Sequence, residues 1–81
     1  MENRVAIIGI IIEDRTYVKT LNELLSEYGE YILGRMWIPY KDKNLHIISI
    51  AIDAPQDIIN SLSGKIGRLK GITSKTIYSN R

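Results

Sequence analysis

A single histidine, His46, and no cysteine set the chemical limits of this 81-residue chain. One histidine cannot build a metal site unaided, and no thiolate is present to complete one. Disulfides and cysteine nucleophiles are excluded for the same reason. No serine has a histidine partner placed to activate it, since His46 lies in an isoleucine-rich segment. In a symmetric oligomer, copies of His46 could converge on one ion. Otherwise it is a histidine on a strand surface. The sequence therefore nominates no catalytic residue, no metal site and no cofactor.

Two carboxylates, Glu13 and Asp14, stand side by side, followed by Arg15 and Thr16. Neighbours on a strand point to opposite faces, so Glu13 and Asp14 do not form an acid–base pair. Asp14 reads first as a helix N-cap. The alternative is that the loop Glu13-Asp14-Arg15-Thr16 holds an anionic or amino-acid-like ligand through backbone N–H groups.

Gly64-Lys65-Ile66-Gly67 lacks the spacing of a phosphate loop and lies late in a helical pattern. Lys65, Arg68, Lys70 and Lys75 form a modest basic cluster, either a solvated helix end or a contact for nucleic acid. Tyr31, Trp37, Tyr40 and Tyr78 could stack on bases. The net charge of +2 permits such contact without demanding it.

The elements that carry these residues follow from their periodicity. Arg4 to Glu13, RVAIIGIIIE, is apolar at nearly every position and reads as a strand buried on both faces. Gly9 within it would admit a close neighbour. Val18, Leu21, Leu24, Leu25 and Tyr28 then recur at helical spacing, with Gly29 as the stop. Glu30 to Pro39 reads as a second strand. One of its rows is Ile32, Gly34, Met36 and Ile38, and the other is Tyr31, Leu33, Arg35 and Trp37. The polar tip Tyr40 to Asn44 is a hairpin connection. Asn44 to Asp53, NLHIISIAID, is a third strand, again apolar on both faces. Pro55 and Asp57 open a second helix, whose stripe is Ile58, Ile59, Leu62, Ile66 and Leu69. Gly64 and Gly67 imply close packing on the sheet or fraying near the helix end. Gly71 breaks the chain before a polar final strand, Ile72 to Tyr78.

The order β-α-β-β-α-β is the split βαβ arrangement. It predicts an α+β, ferredoxin-like sandwich with an antiparallel sheet of order 4-1-3-2 and both helices on one face. The two central strands would be the first and third, which are the two that read as apolar on both sides. Residues 1–81 are expected to form a single domain.

Two helices cover one face of such a sheet. The other would expose several isoleucines, with Leu33, Trp37 and Ile47 as candidate contacts between subunits. Either that face packs against a second copy, as a dimer or tetramer, or it is a surface with scattered apolar residues. No apolar run approaches the roughly 18 residues of a membrane span. The absence of a signal peptide predicts a cytoplasmic protein.

Three segments, RVAIIGIIIEDR, LNELLSEYGEYILGRMWIPY and NLHIISIAIDAPQDIINSLSGKIGRLKGI, resemble the iron-only hydrogenase system regulators over essentially the whole chain. YGEYILGRM, IDAPQD and the SGK-GRL-G run are the most specific parts. That family is similar to the ACT-like domain of nickel-responsive transcription regulators, and its genes accompany [FeFe]-hydrogenase maturation genes. The resemblance implies an ACT-like fold and a regulatory role. It does not bring nickel with it, because the several histidines and the cysteine of those relatives are missing. Nor does it bring their ribbon-helix-helix segment, so DNA binding would come from a protein partner. ACT-like domains often bind amino acids near the first strand–helix loop at a subunit interface, which implies Glu13, Asp14 and Arg15 as ligand contacts for a small-molecule effector.

The expected function is a non-enzymatic, ligand-sensing or protein-interaction module of the hydrogenase system, acting as a homo-oligomer. Two alternatives stay open: a small enzyme on the same dimeric fold, and a nucleic-acid binder using the basic C-terminal region.

Overall fold

β-branched isoleucine dominates the strands, and the strands make most of the molecule. The computed structural model describes residues 2–80. Strand β1 spans Asn3–Ile12, helix α1 Val18–Glu27, strand β2 Ile32–Tyr40, strand β3 Leu45–Pro55, helix α2 Gln56–Gly67 and strand β4 Ile72–Tyr78. The sheet is antiparallel throughout, with order β2-β3-β1-β4, which is the expected order read from the other edge. The fold is the expected ferredoxin-like α+β arrangement.

The register decides which residues meet the helices. β1 and β3 pair without interruption from Asn3↔Pro55 to Ile12↔His46. Ala6, Ile8, Ile10 and Ile12 of β1 and Ile48, Ile50, Ile52 and Ala54 of β3 are fully buried. They pack against Leu21, Leu25 and Tyr28 of the α1 segment and Ile59, Leu62 and Ile66 of α2. The core holds no buried polar or charged side chain among the described residues. Each buried isoleucine or leucine contributes about 1.5–3 kcal/mol over exposure.

Polar contacts lock α2 onto the outer strand. Tyr78 Oη donates to Asn60 Oδ1 at 2.6 Å, and Thr76 Oγ1 donates to Ser63 Oγ at 3.2 Å. Arg4 stacks 4.4 Å above the Tyr78 ring and donates to Gln56 Oε1 and the Ser79 carbonyl. Between the helices, the Tyr28 and Ser61 hydroxyls lie 3.1 Å apart and Lys65 sits over the Tyr28 ring. Lys65, then Ser61, holds the Tyr28 hydroxyl below the usual phenol range.

Several local expectations change. α1 is preceded by a 3₁₀ turn, Arg15–Tyr17, so Asp14 caps that turn and not the α-helix itself. Gly29 opens another short 3₁₀ turn, Gly29–Tyr31, with no left-handed stop. A Cβ on Gly64 or Gly67 would meet nothing within 4 Å, so close packing on the sheet does not explain these glycines. Gly67 is instead the last residue of α2. Gly9 has no close neighbour either, since a Cβ there would meet the Lys75 carbonyl at an ordinary 3.9 Å.

The largest correction concerns β2. A register shift between Ile32 and Gly34 makes Leu33 an extra residue in the strand. Side chains beyond a bulge change face relative to an unbroken alternation. Trp37 was expected on the open face beside Leu33. It pairs with Ile48 and packs against the core on the helix side. Met36 and Ile38, opposite Ser49 and Ile47, take the open face.

Candidate functional site

Three places gather the residues singled out by sequence: the β1–α1 loop, the hairpin end of the sheet beside it, and the open sheet face.

The loop is pinned by hydrogen bonds of its own. The backbone N–H groups of Glu13 and Asp14 both donate to the Gly71 carbonyl, at 2.7 and 3.2 Å. The Thr16 N–H and hydroxyl both donate to Asp14 Oδ1, at 2.9 and 2.6 Å. Three amides that could have held an anion are thereby occupied, and the cap reading of Asp14 is the one the geometry realises. The Thr16 hydroxyl, then its backbone N–H, holds the Asp14 carboxyl below the ordinary carboxylate value. A depressed carboxylate contributes stability above its unfolded pKa and loses it as pH falls through the folded one. Thr16→Val should therefore raise the Asp14 pKa towards the ordinary value. A carboxyl-detected NMR titration checks this, and an unchanged midpoint would contradict the assignment.

Arg15 has a different setting. It lines a pocket of about 210 Å³ with Pro39, Tyr40, Lys41, Asn44, Leu45 and His46. Sequence reasoning did not bring these together, because the loop and the β2–β3 hairpin are distant along the chain. His46 is half-buried here. Trp37 Nε1–H donates to its Nδ1 at 2.9 Å, and the two rings meet edge-to-face, 5.8 Å between centroids. Indole nitrogen only donates, so His46 Nδ1 carries no proton and the neutral ring bears its proton on Nε2.

The open face is formed by Val5, Ile7, Gly9 and Ile11 of β1, and by Ile47, Ser49, Ala51 and, opposite Val5, Asp53 of β3. Met36 and Ile38 of β2 and Thr73, Lys75 and Ile77 of β4 flank them. Ile7 is 48% exposed, Ile11 43%, Ile47 40% and Ile77 70%. Gly9 and Ser49 are small residues between larger ones. They floor an apolar groove of about 330 Å³ walled by Ile11, Ile47, Thr73 and Lys75. Ile47 thus lies on the open face as expected, and Leu33, at the bulge, is 66% exposed.

The nucleic-acid elements do not converge. Lys75 lies on the open face opposite Gly9, whereas Lys65 is on α2 against Tyr28, across the sheet. Trp37 and Tyr31 pack against the core and Tyr78 is held under Arg4, leaving no row of aromatics on the open sheet. Among the described residues no three His, Cys, Asp or Glu side chains group as metal ligands, and no helix is long and apolar enough to cross a membrane.

A four-stranded antiparallel sheet with two helices defines an α+β module of the ferredoxin-like class. Residues 4–76 match the family model described as "TM1266-like: Iron-only hydrogenase system regulator, putative", and the chain belongs to that family. It is similar to the solved structure of uncharacterized protein TM1266 from Thermotoga maritima. The two are 37% identical, with a TM-score of 0.91 over 95% of this chain and 98% of that one. No curated protein matches the chain. Two more distant structures share the fold alone. One is a formyltetrahydrofolate deformylase from Pseudomonas putida KT2440, at 11% identity and TM-score 0.67 over 95% of this chain and 29% of that one. The other is CPII, a nitrogen regulatory PII-like protein from Thiomonas intermedia K12 bound to ADP, AMP and bicarbonate, at 14% identity and TM-score 0.51 over 99% and 100%.

Proposed function

We propose that this chain is a non-enzymatic, effector-responsive module of the iron-only hydrogenase system, and that it works as a homo-oligomer joined through the open sheet face. One observation carries the reading: the two central strands present Val5, Ile7, Gly9, Ile11, Ile47, Ser49 and Ala51 across the middle of that face, and a charge, Asp53 opposite Val5, enters only at one end. The alternation that normally marks a solvated antiparallel sheet is absent there.

The occupant is a second copy of the chain. Four strands about 4.8 Å apart, with some eight residues each at about 3.3 Å, present roughly 500 Å². Two such faces bury on the order of 1,000 Å², which reaches the lower bound for a specific interface. The face is also shaped to receive itself. Isoleucine ridges flank the Gly9–Ser49 groove, so a two-fold operation can set the ridge of one copy into the groove of the other. Lys75 stands on an edge strand, where its stem can cover apolar surface while its ammonium reaches water.

Regulation would then follow from an effector that binds one assembly state better than another. The PII-like neighbour, described as bound to ADP, AMP and bicarbonate, supports small-molecule sensing as a use of this fold. A DNA-binding partner would couple the module to transcription.

Light scattering coupled to size exclusion tests the reading. A mass of two or four chains at micromolar concentration is expected. A single-chain mass at every concentration up to the solubility limit overturns it.

A further inference from the structure

The geometry points to the pocket between the β1–α1 loop and the β2–β3 hairpin as a binding site for a small anion, a carboxylate or phosphate of metabolite size. This gives a chemical class to the effector of the module proposed above. It stands on residues separate from the association face, so either idea can fail alone.

The lining carries two cations, Arg15 and Lys41, and no carboxylate. Neither cation makes an ion pair among the described residues. An anion held in the pocket they share can gain charge-assisted hydrogen bonds from both.

His46 adds a second, independent feature. Its Nδ1 accepts from Trp37, which fixes the neutral tautomer with Nε2–H as a donor. No hydrogen bond to Nε2 occurs among the described residues. Tyr40 and Asn44 complete the polar lining. Arg15, Lys41 and the His46 Nε2–H are all donors, which is the complement of an oxyanion.

The hairpin tip is shaped to present them. A 3₁₀ turn, Lys41–Lys43, ends at Asn44, which is left-handed at φ 54°. Asn accepts that conformation more readily than most residues. On the other side, hydrogen bonds to the Gly71 carbonyl and the Asp14 carboxylate hold the loop backbone and leave the Arg15 side chain as its contribution. A volume of about 210 Å³ suits a compact ligand and is small for a nucleotide.

Trp37 is the only tryptophan, and it is bonded to His46, so its fluorescence reports on the pocket. The full chain is titrated with inorganic phosphate in one arm and acetate in the other, at constant ionic strength. A saturable change in the millimolar range is expected in at least one arm, and the responding arm assigns phosphate or carboxylate. Arg15→Ala and Lys41→Ala should each weaken binding about tenfold, with the oligomer mass unchanged. Backbone amide NMR shifts at Arg15, Lys41 and His46 provide a readout that does not rely on the tryptophan. No saturable response by either method overturns the proposal. So does binding that survives unchanged in the Arg15→Ala/Lys41→Ala double variant.

Discussion

Gly71→Ala is expected to cost about 2–5 kcal/mol of folding stability, the largest effect of any conservative change outside the core. Two terms add. Gly71 has φ of +79°, a left-handed backbone that costs an L side chain about 1–2 kcal/mol. A Cβ built there also falls inside the van der Waals envelope of Asp14 Cβ, with Asp14 Cα and N at 3.2 Å. The neighbour cannot yield freely, because the Glu13 and Asp14 amides are bonded to the Gly71 carbonyl itself. Overpacking against backbone of this kind costs about 1–3 kcal/mol. For a chain of this size the melting temperature should fall by at least about 10 °C. Thermal melts followed by circular dichroism check it, and a shift within about 3 °C would refute the clasp. Adding Asp14→Gly removes the Cβ–Cβ collision and should restore part of the loss, while the backbone strain at residue 71 stays.

Ile47→Lys should convert the oligomer to folded monomers, while Ile48→Lys, one residue along, should abolish folding. Ile47 is 40% exposed on the open face, and Ile48 is 1% exposed under the helices. In a symmetric dimer the Ile47 change enters the interface twice. Lost apolar burial and a desolvated ammonium in each copy should raise the dissociation constant by about a hundredfold or more. The isolated fold should lose only about 1 kcal/mol, because Ile47 is already part-exposed and the lysine stem can cover the same apolar surface while its ammonium reaches water. Light scattering and circular dichroism on the two variants separate the outcomes. An Ile47→Lys protein that keeps the parent mass would rule out this face as the contact.

That pair of variants also marks where sequence reasoning reached its limit. The element order was readable because each helix has a stripe, Gly29, Pro55 and Gly71 fall at element boundaries, and the two central strands are the two most apolar. Ile47 was placed on the open side, but which side of β1 would be open was not readable. Val5, Ile7 and Ile11 are as apolar as Ala6, Ile8 and Ile10, so period-two alternation carries no signal. Trp37 was misplaced for a separate reason. One extra residue at Leu33 reverses the facing of the rest of β2, and nothing beyond Gly34 marks it in the sequence. At the candidate site, Asp14 as a cap was visible from its position before a helix. The junction of Arg15 with Tyr40, Lys41 and His46 was not, since it is made by folding the hairpin back to the first loop. Gly71 was visible as a break before the last strand, but its role as acceptor for the Glu13 and Asp14 amides was not.

The position of β1 has a consequence for how the chain is made. β1 is the first strand in sequence, yet it is central and pairs with β3 on one side and β4 on the other. Its pairing of Ala6 with Tyr78 spans nearly the whole chain. This apolar strand is therefore made before either of its partners, β3 and then β4. Contacts this distant in sequence fold slowly, because the closure entropy of a long loop must be met before any pairing rewards it. During synthesis β1 would present a stretch of isoleucine with one hydrogen-bonding edge open until β3 has emerged and the other open until β4 has.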